Sequence, residues 1–109
     1  MPAGPHQWVD GPPGDYSAPT QNAAIGTATE EVVAANVKRI CVIISNYGTV
    51  DVYLAAGNSA EINKGIFLRA STGVAQFGGP AGLPLTTEAI NGIVVSGSGT
   101  VAIQEVEGA

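Results

Sequence analysis

The sequence predicts an all-β chain: a small antiparallel β-sandwich, jelly-roll-like and of about seven strands, carrying an extended N-terminal arm. Three observations point there. From Ala23 onward valine and isoleucine number twenty against four leucines, a β-branched bias that suits a pleated surface better than a helix. Turn signals recur at short intervals, among them Asn46-Tyr47-Gly48, Gly57-Asn58, Asn63-Lys64-Gly65, Ser71-Thr72-Gly73, Gly78-Gly79-Pro80, Asn91-Gly92 and Gly97-Ser98-Gly99. No stretch sustains an apolar period of 3.6.

The composition divides the chain near residue 22. Five of the seven prolines (Pro2, Pro5, Pro12, Pro13, Pro19) lie before it, and proline can join neither a helix interior nor a central strand. Residues 1–22 therefore read as an extended arm without regular pairing, able to span roughly 70 Å when stretched. Residues 23–109 read as the β-sandwich domain. Within the arm, Trp8, Val9 and Tyr16 have no use in a solvated spacer and are candidate partner-binding residues, with His6 beside them.

Along the domain, Thr29–Ala35 is read as β, with a short helical turn led by Glu30 and Glu31 as the alternative. Val37–Ser45 places Ile40, Val42 and Ile44 on one face and Cys41 and Ile43 on the other, as in a central strand covered on both sides. Asp51–Leu54 alternates with Val52 and Leu54 inward. Ile66 and Leu68 oppose Phe67 and Arg69, and residues 90–95 and 101–103 form a terminal hairpin across Gly97-Ser98-Gly99.

With 45% apolar and only 12% charged residues, 109 residues suffice for one folded core. A domain of this size hides only about 60–65% of its unfolded surface, so association of copies is expected. The formal charge of −5 has the wrong sign for a phosphate backbone, and no nucleic-acid partner is expected. The longest apolar run, Ile40–Ile44, is too short to span a bilayer, so no membrane partner is expected. The start of the chain has no charged n-region and no apolar h-region, which reads as a protein made in a cytoplasm.

The chemistry-bearing residues are few. His6, the one histidine, stands in the arm, away from any hydroxyl or thiol it could activate. Cys41, the one cysteine, sits between Ile40 and Val42 and reads as a small buried hydrophobe. Two Cys/His residues in unrelated segments do not make a zinc site, and no oxygen-rich calcium loop is visible. Glu105 and Glu107 read as a solvated acidic rim, and the spacing of Asp51, Glu61 and Glu88 demands no paired-carboxylate chemistry. Gly78-Gly79-Pro80-Ala81-Gly82 lacks the Lys-Ser/Thr of a phosphate-binding loop. No catalytic residue, cofactor or metal is assigned, and the expectation is a non-enzymatic protein.

Four stretches carry a resemblance: Arg39-Ile40-Cys41-Val42-Ile43-Ile44-Ser45-Asn46, Asp51-Val52-Tyr53-Leu54, Asn63-Lys64-Gly65-Ile66-Phe67-Leu68, and residues 90–105 from Ile90-Asn91-Gly92 to Gln104-Glu105. Together they resemble small β-sandwich virion proteins of tailed bacteriophages, including capsid decoration (cement) proteins. The resemblance covers about two-thirds of the chain and consists of strand and turn signatures. It implies a sandwich, often a homotrimer, fixed to the outside of an icosahedral head, where it binds the major capsid protein and strengthens contacts between its subunits. The implied location is the virion surface, after assembly in the host cytoplasm. A head-fibre base, minor capsid or tail protein is the alternative within the virion. A carbohydrate-binding adhesive module displaying Tyr47 or Tyr53 is the alternative outside it.

Overall fold

The computed structural model describes residues 14–15 and 21–108, and among these it contains nine strands and no helix. In chain order they are β1 (Gly14–Asp15), β2 (Gln21–Ile25), β3 (Glu30–Val33), β4 (Arg39–Asn46), β5 (Val52–Ala56), β6 (Ile66–Leu68), β7 (Val74–Gly78), β8 (Ile90–Ile93) and β9 (Gly99–Gly108). The all-β expectation holds. The count exceeds the expected seven because β1 is only two residues long and β2, Gln-Asn-Ala-Ala-Ile, carries almost none of the β-branched signal.

The strands form two antiparallel sheets. In one, β9 lies beside β4 and β4 beside β7, while β1 and β2 pair with successive stretches of the free edge of β9, so the layer is four strands wide. The other has the order β3-β8-β5-β6. Among the described residues regular pairing begins at Gly14, whose register partner is Gly108.

Side chains from the inner faces of both sheets fill the space between them. Ile25, Val42, Ile44, Val52, Leu54 and Ile90 are all fully buried there. Burying one such side chain contributes about 1.5–3 kcal/mol. Val52 and Leu54 point inward as expected, and their register with Leu68 and Ile66 sends Phe67 outward beside Tyr53.

Three expectations need correction. Residues 90–95 and 101–103 do not form a hairpin: β8 pairs with β3 and β5, β9 pairs with β2 and β4, and residues 94–98 carry the chain from one layer to the other. Asn91-Gly92 is not a turn but the middle of β8, where glycine is required by packing. A Cβ on Gly92 would stand 2.8 Å from Val32 Cγ2 and 3.2 Å from Ile25 Cδ1. Finally, β4 is central but not covered on both sides. In a two-layer sandwich each sheet has one covered face, and Cys41 and Ile43 on the other are only half-buried. A register shift between Arg39 and Cys41 also leaves Ile40 half-buried and gives the buried place to Arg39.

The segment around residue 30 is strand rather than helical turn. Val32 and Val33 are both buried although adjacent, because the pairing of β3 with β8 shifts register between Glu31 and Val33.

Candidate interaction surfaces

The sequence pattern proposed Trp8, Val9, Tyr16 and His6 as partner-binding residues, and all four lie outside the described residues. Chemistry among the described residues must therefore be sought on the sandwich itself, beginning with its buried polar groups.

Arg39 is 1% exposed, and four of its N–H groups are engaged. Nε donates to Glu105 Oε2 at 2.6 Å. One terminal nitrogen donates to the carbonyls of Thr86 and Glu88, each at 2.9 Å, and the other to the carbonyl of Ala34 at 2.6 Å. The side chain thus binds β4 and β9 to the loop entering β8 and to the residue that follows β3. With its donors used internally, it is a clasp between layers rather than a ligand-binding cation. Glu105 is consequently no part of a solvated rim, since its side chain is 12% exposed and holds Arg39. Glu107 accepts from Asn36 Nδ2 at 2.8 Å.

At the opposite end Asn46, 2% exposed, donates to the carbonyls of Val50 and Leu68 and accepts from the N–H of Gly48. These bonds fix the turn from β4 into β5. Among the described residues no buried side-chain polar atom lacks a partner.

The carboxylates do not converge. Asp51 accepts from the N–H of Ala70 at 2.8 Å and Glu61 pairs with Lys64 at 3.1 Å on the surface. Among the described residues no group of three or more His, Cys, Asp or Glu side chains could hold a metal ion. Burial pushes the Cys41 thiol above its ordinary pKa, so it is less nucleophilic at neutral pH than a free cysteine.

The two outward sheet faces differ in composition. On the four-stranded sheet, Tyr53 is registered between Phe67 and Ile93, so the three form a row across β6, β5 and β8. The rings of Tyr53 and Phe67 are 5.3 Å apart at 43°, Phe67 is 51% exposed, and the Tyr53 hydroxyl lies 3.0 Å from Asn63 Oδ1. Beside this row a shallow groove of about 250 Å³ is lined by Thr49, Val50, Asp51, Tyr53, Val95 and Ser96. Tyr47 lies elsewhere, at a separate depression with Gln21, Asn22 and Ala102.

On the other sheet the registers place Cys41, Ile43 and Ser45 of β4 outward, next to Gly78, Gln76 and Val74 of β7. On the other side of β4 they place Gln104 and Ala102 of β9 outward, then Asn22 of β2 opposite Ala102, while Val106, the register partner of Cys41, is only 4% exposed. None of these is charged.

No family model, curated protein or solved structure matches this chain. The surfaces are therefore interpreted from their own chemistry. The sequence named Tyr53 singly, as a glycan contact of the adhesive alternative, but neither face as a surface. Tyr53 and Phe67 are fourteen positions apart and meet only through the β5–β6 register, whereas Cys41 and Ile43 of the neutral face stand out in the alternation of β4 but read there as covered, because both its faces are apolar.

Proposed function

We propose that this chain is a structural virion protein: a capsid decoration (cement) protein that binds the outside of a phage head and stabilises contacts between major capsid subunits. The observation that carries the reading is the strand order. From β2 to β9 every connection crosses between layers except the β5–β6 hairpin, giving the orders β2-β9-β4-β7 and β3-β8-β5-β6, the connectivity of an eight-stranded double-sheet jelly roll. Viral capsid and lectin domains are built this way. A shared architecture does not by itself assign a role, and here it adds to the resemblance of residues 39–105 to phage virion proteins. The Tyr53–Phe67–Ile93 row, with Phe67 exposed and Tyr53 and Ile93 half-buried, adds aromatic anchors of the kind that dominate protein interfaces. In this reading the row and the N-terminal residues Trp8, Val9, Tyr16 and His6 contact the major capsid protein, and repeated shell sites multiply weak contacts.

The test is co-sedimentation of the full chain with heads of the phage that encodes it, combined with copy counting in purified virions. Hundreds of copies per particle, with binding weakened by Trp8→Ala and by Phe67→Ser, are the expected result. Absence from virions would sink the proposal, and a few dozen copies or fewer would move it to a vertex, fibre or tail. The groove beside Tyr53 favours one second reading, a carbohydrate-binding module, because an aromatic wall stands next to Asp51, Thr49 and Ser96. Glycan-array binding abolished by Tyr53→Ala, without binding to heads, would select it.

A further inference from the structure

The geometry points to the outward face of the β2-β9-β4-β7 sheet as the surface through which two copies of this chain associate. The argument is electrostatic first. The chain carries nine acidic and four basic side chains, so two copies repel wherever they bring ordinary surface together. Glu30 and Glu31 stand exposed on the edge strand of the other sheet, and Asp51, Glu61 and Glu88 stand in exposed loop positions. Across β2, β9, β4 and β7 the outward positions are instead Asn, Ala, Thr, Gln, Val, Cys, Ile, Ser and Gly, without a single ionisable carboxylate or amine. This face can meet its own copy without opposing like charges. Depletion of charge is also what distinguishes the centre of an interface from ordinary surface.

Shape agrees with charge. The outward side chains are of modest size, with Ile43 at the centre between its register partners Gln76 and Gln104, and valines only toward the margins at Val74 and Val106. Such a face suits another sheet laid flat about 10 Å away, with glutamine side chains available to hydrogen-bond across. A flat surface contacting itself does so about a two-fold axis, so this contact generates a dimer, and any three-fold assembly uses a different surface.

The size of the face sets the strength. Four strands about 4.8 Å apart and about six residues long give a patch of roughly 20 Å by 20 Å. That is about half of the roughly 800 Å² that a specific, stable interface buries on each partner, and it falls among weak, transient contacts. The association is therefore weak, in the micromolar range or above, and becomes substantial where copies are concentrated. The inference does not depend on the virion reading, since it rests on the register and the charge pattern alone.

Sedimentation equilibrium of the full chain from about 1 to about 500 µM tests it. The expected result is a reversible shift from 10.9 kDa toward twice that mass. Ile43→Lys places like charges opposite each other and weakens the association about 100-fold or more. Ala102→Glu, beside the open depression at Asn22 and Tyr47, does the same if Ile43→Lys fails to fold. Phe67→Glu on the opposite face leaves the mass unchanged. A chain that stays at 10.9 kDa throughout would overturn the proposal, including the case in which its own N-terminal segment covers the face. So would a trimer insensitive to both charge substitutions.

Discussion

The two outward faces of this sandwich are built from the same backbone and present opposite chemistries. One is neutral and low, with Ile43 between Gln76 and Gln104; the other raises an aromatic pair, Tyr53 and Phe67, beside Ile93. The difference begins with residue choice at equivalent outward positions of the pleat, where side chains can change without disturbing the core. A face of short uncharged side chains favours contact with a similar flat surface. A face with half-exposed aromatic rings favours a partner that supplies a pocket.

What the faces share is the body that holds them apart, and the largest expected effect comes from disrupting it. Arg39→Ala removes the side chain that joins β4 and β9 to the loop before β8, leaving the Glu105 carboxylate and the carbonyls of Ala34, Thr86 and Glu88 without their donor. Breaking a buried pair in this way costs about 3–5 kcal/mol. Urea unfolding of the full chain measures it. Arg39→Met, which keeps most of the volume, separates the lost pairing from lost packing. A loss below about 1 kcal/mol in both variants would mean that the layers are held by apolar contacts alone.

The role of Arg39 also shows where sequence reasoning stops. The β-rich character, the inward set Val52, Leu54, Ile66 and Leu68, and the outward turn of Phe67 were legible because a period of two depends only on local geometry. The pairing of strands was not. Residues 90–95 and 101–103 look like a hairpin across Gly97-Ser98-Gly99, yet β8 and β9 belong to different sheets, a choice made by distant partners. Asn91-Gly92 resembles a turn, but its glycine admits Val32 and Ile25 to the core. Arg39 and Glu105 are 66 residues apart, and nothing local marks either as buried. Both outward faces suffer the same limitation, since a face exists only after register has been set.

A smaller effect sharpens the contrast between the faces. Tyr53 and Phe67 should couple energetically, whereas Ile43 and Gln76, also register partners but on the neutral face, should couple little within one chain. A double-mutant cycle with Tyr53→Leu and Phe67→Leu is expected to give about 0.5–1.5 kcal/mol, toward the lower end because Phe67 is half-exposed. The same cycle with Ile43→Ala and Gln76→Ala should fall near zero in dilute solution. Equal coupling on both sides would remove the energetic distinction between an anchor-bearing face and a flat one.

The smallest expected effect belongs to Cys41, which lies on the neutral face and reports on its solvation. Burial favours the uncharged thiol, so its pKa in the folded chain is above that in the unfolded chain. The resulting contribution to stability is fully present below the ordinary thiol pKa and is lost as pH rises through the folded value, because the unfolded chain releases its proton first. Wild type should therefore show an alkaline decline in stability that Cys41→Ala lacks. Alkylation by iodoacetamide should follow the same titration, with its midpoint above that of an unfolded control. Covering the neutral face with a second copy desolvates Cys41 further, so in wild type that midpoint rises with protein concentration, whereas in Ala102→Glu it stays constant. A midpoint independent of concentration in both would place the contact between copies away from Cys41, leaving the neutral face open to solvent.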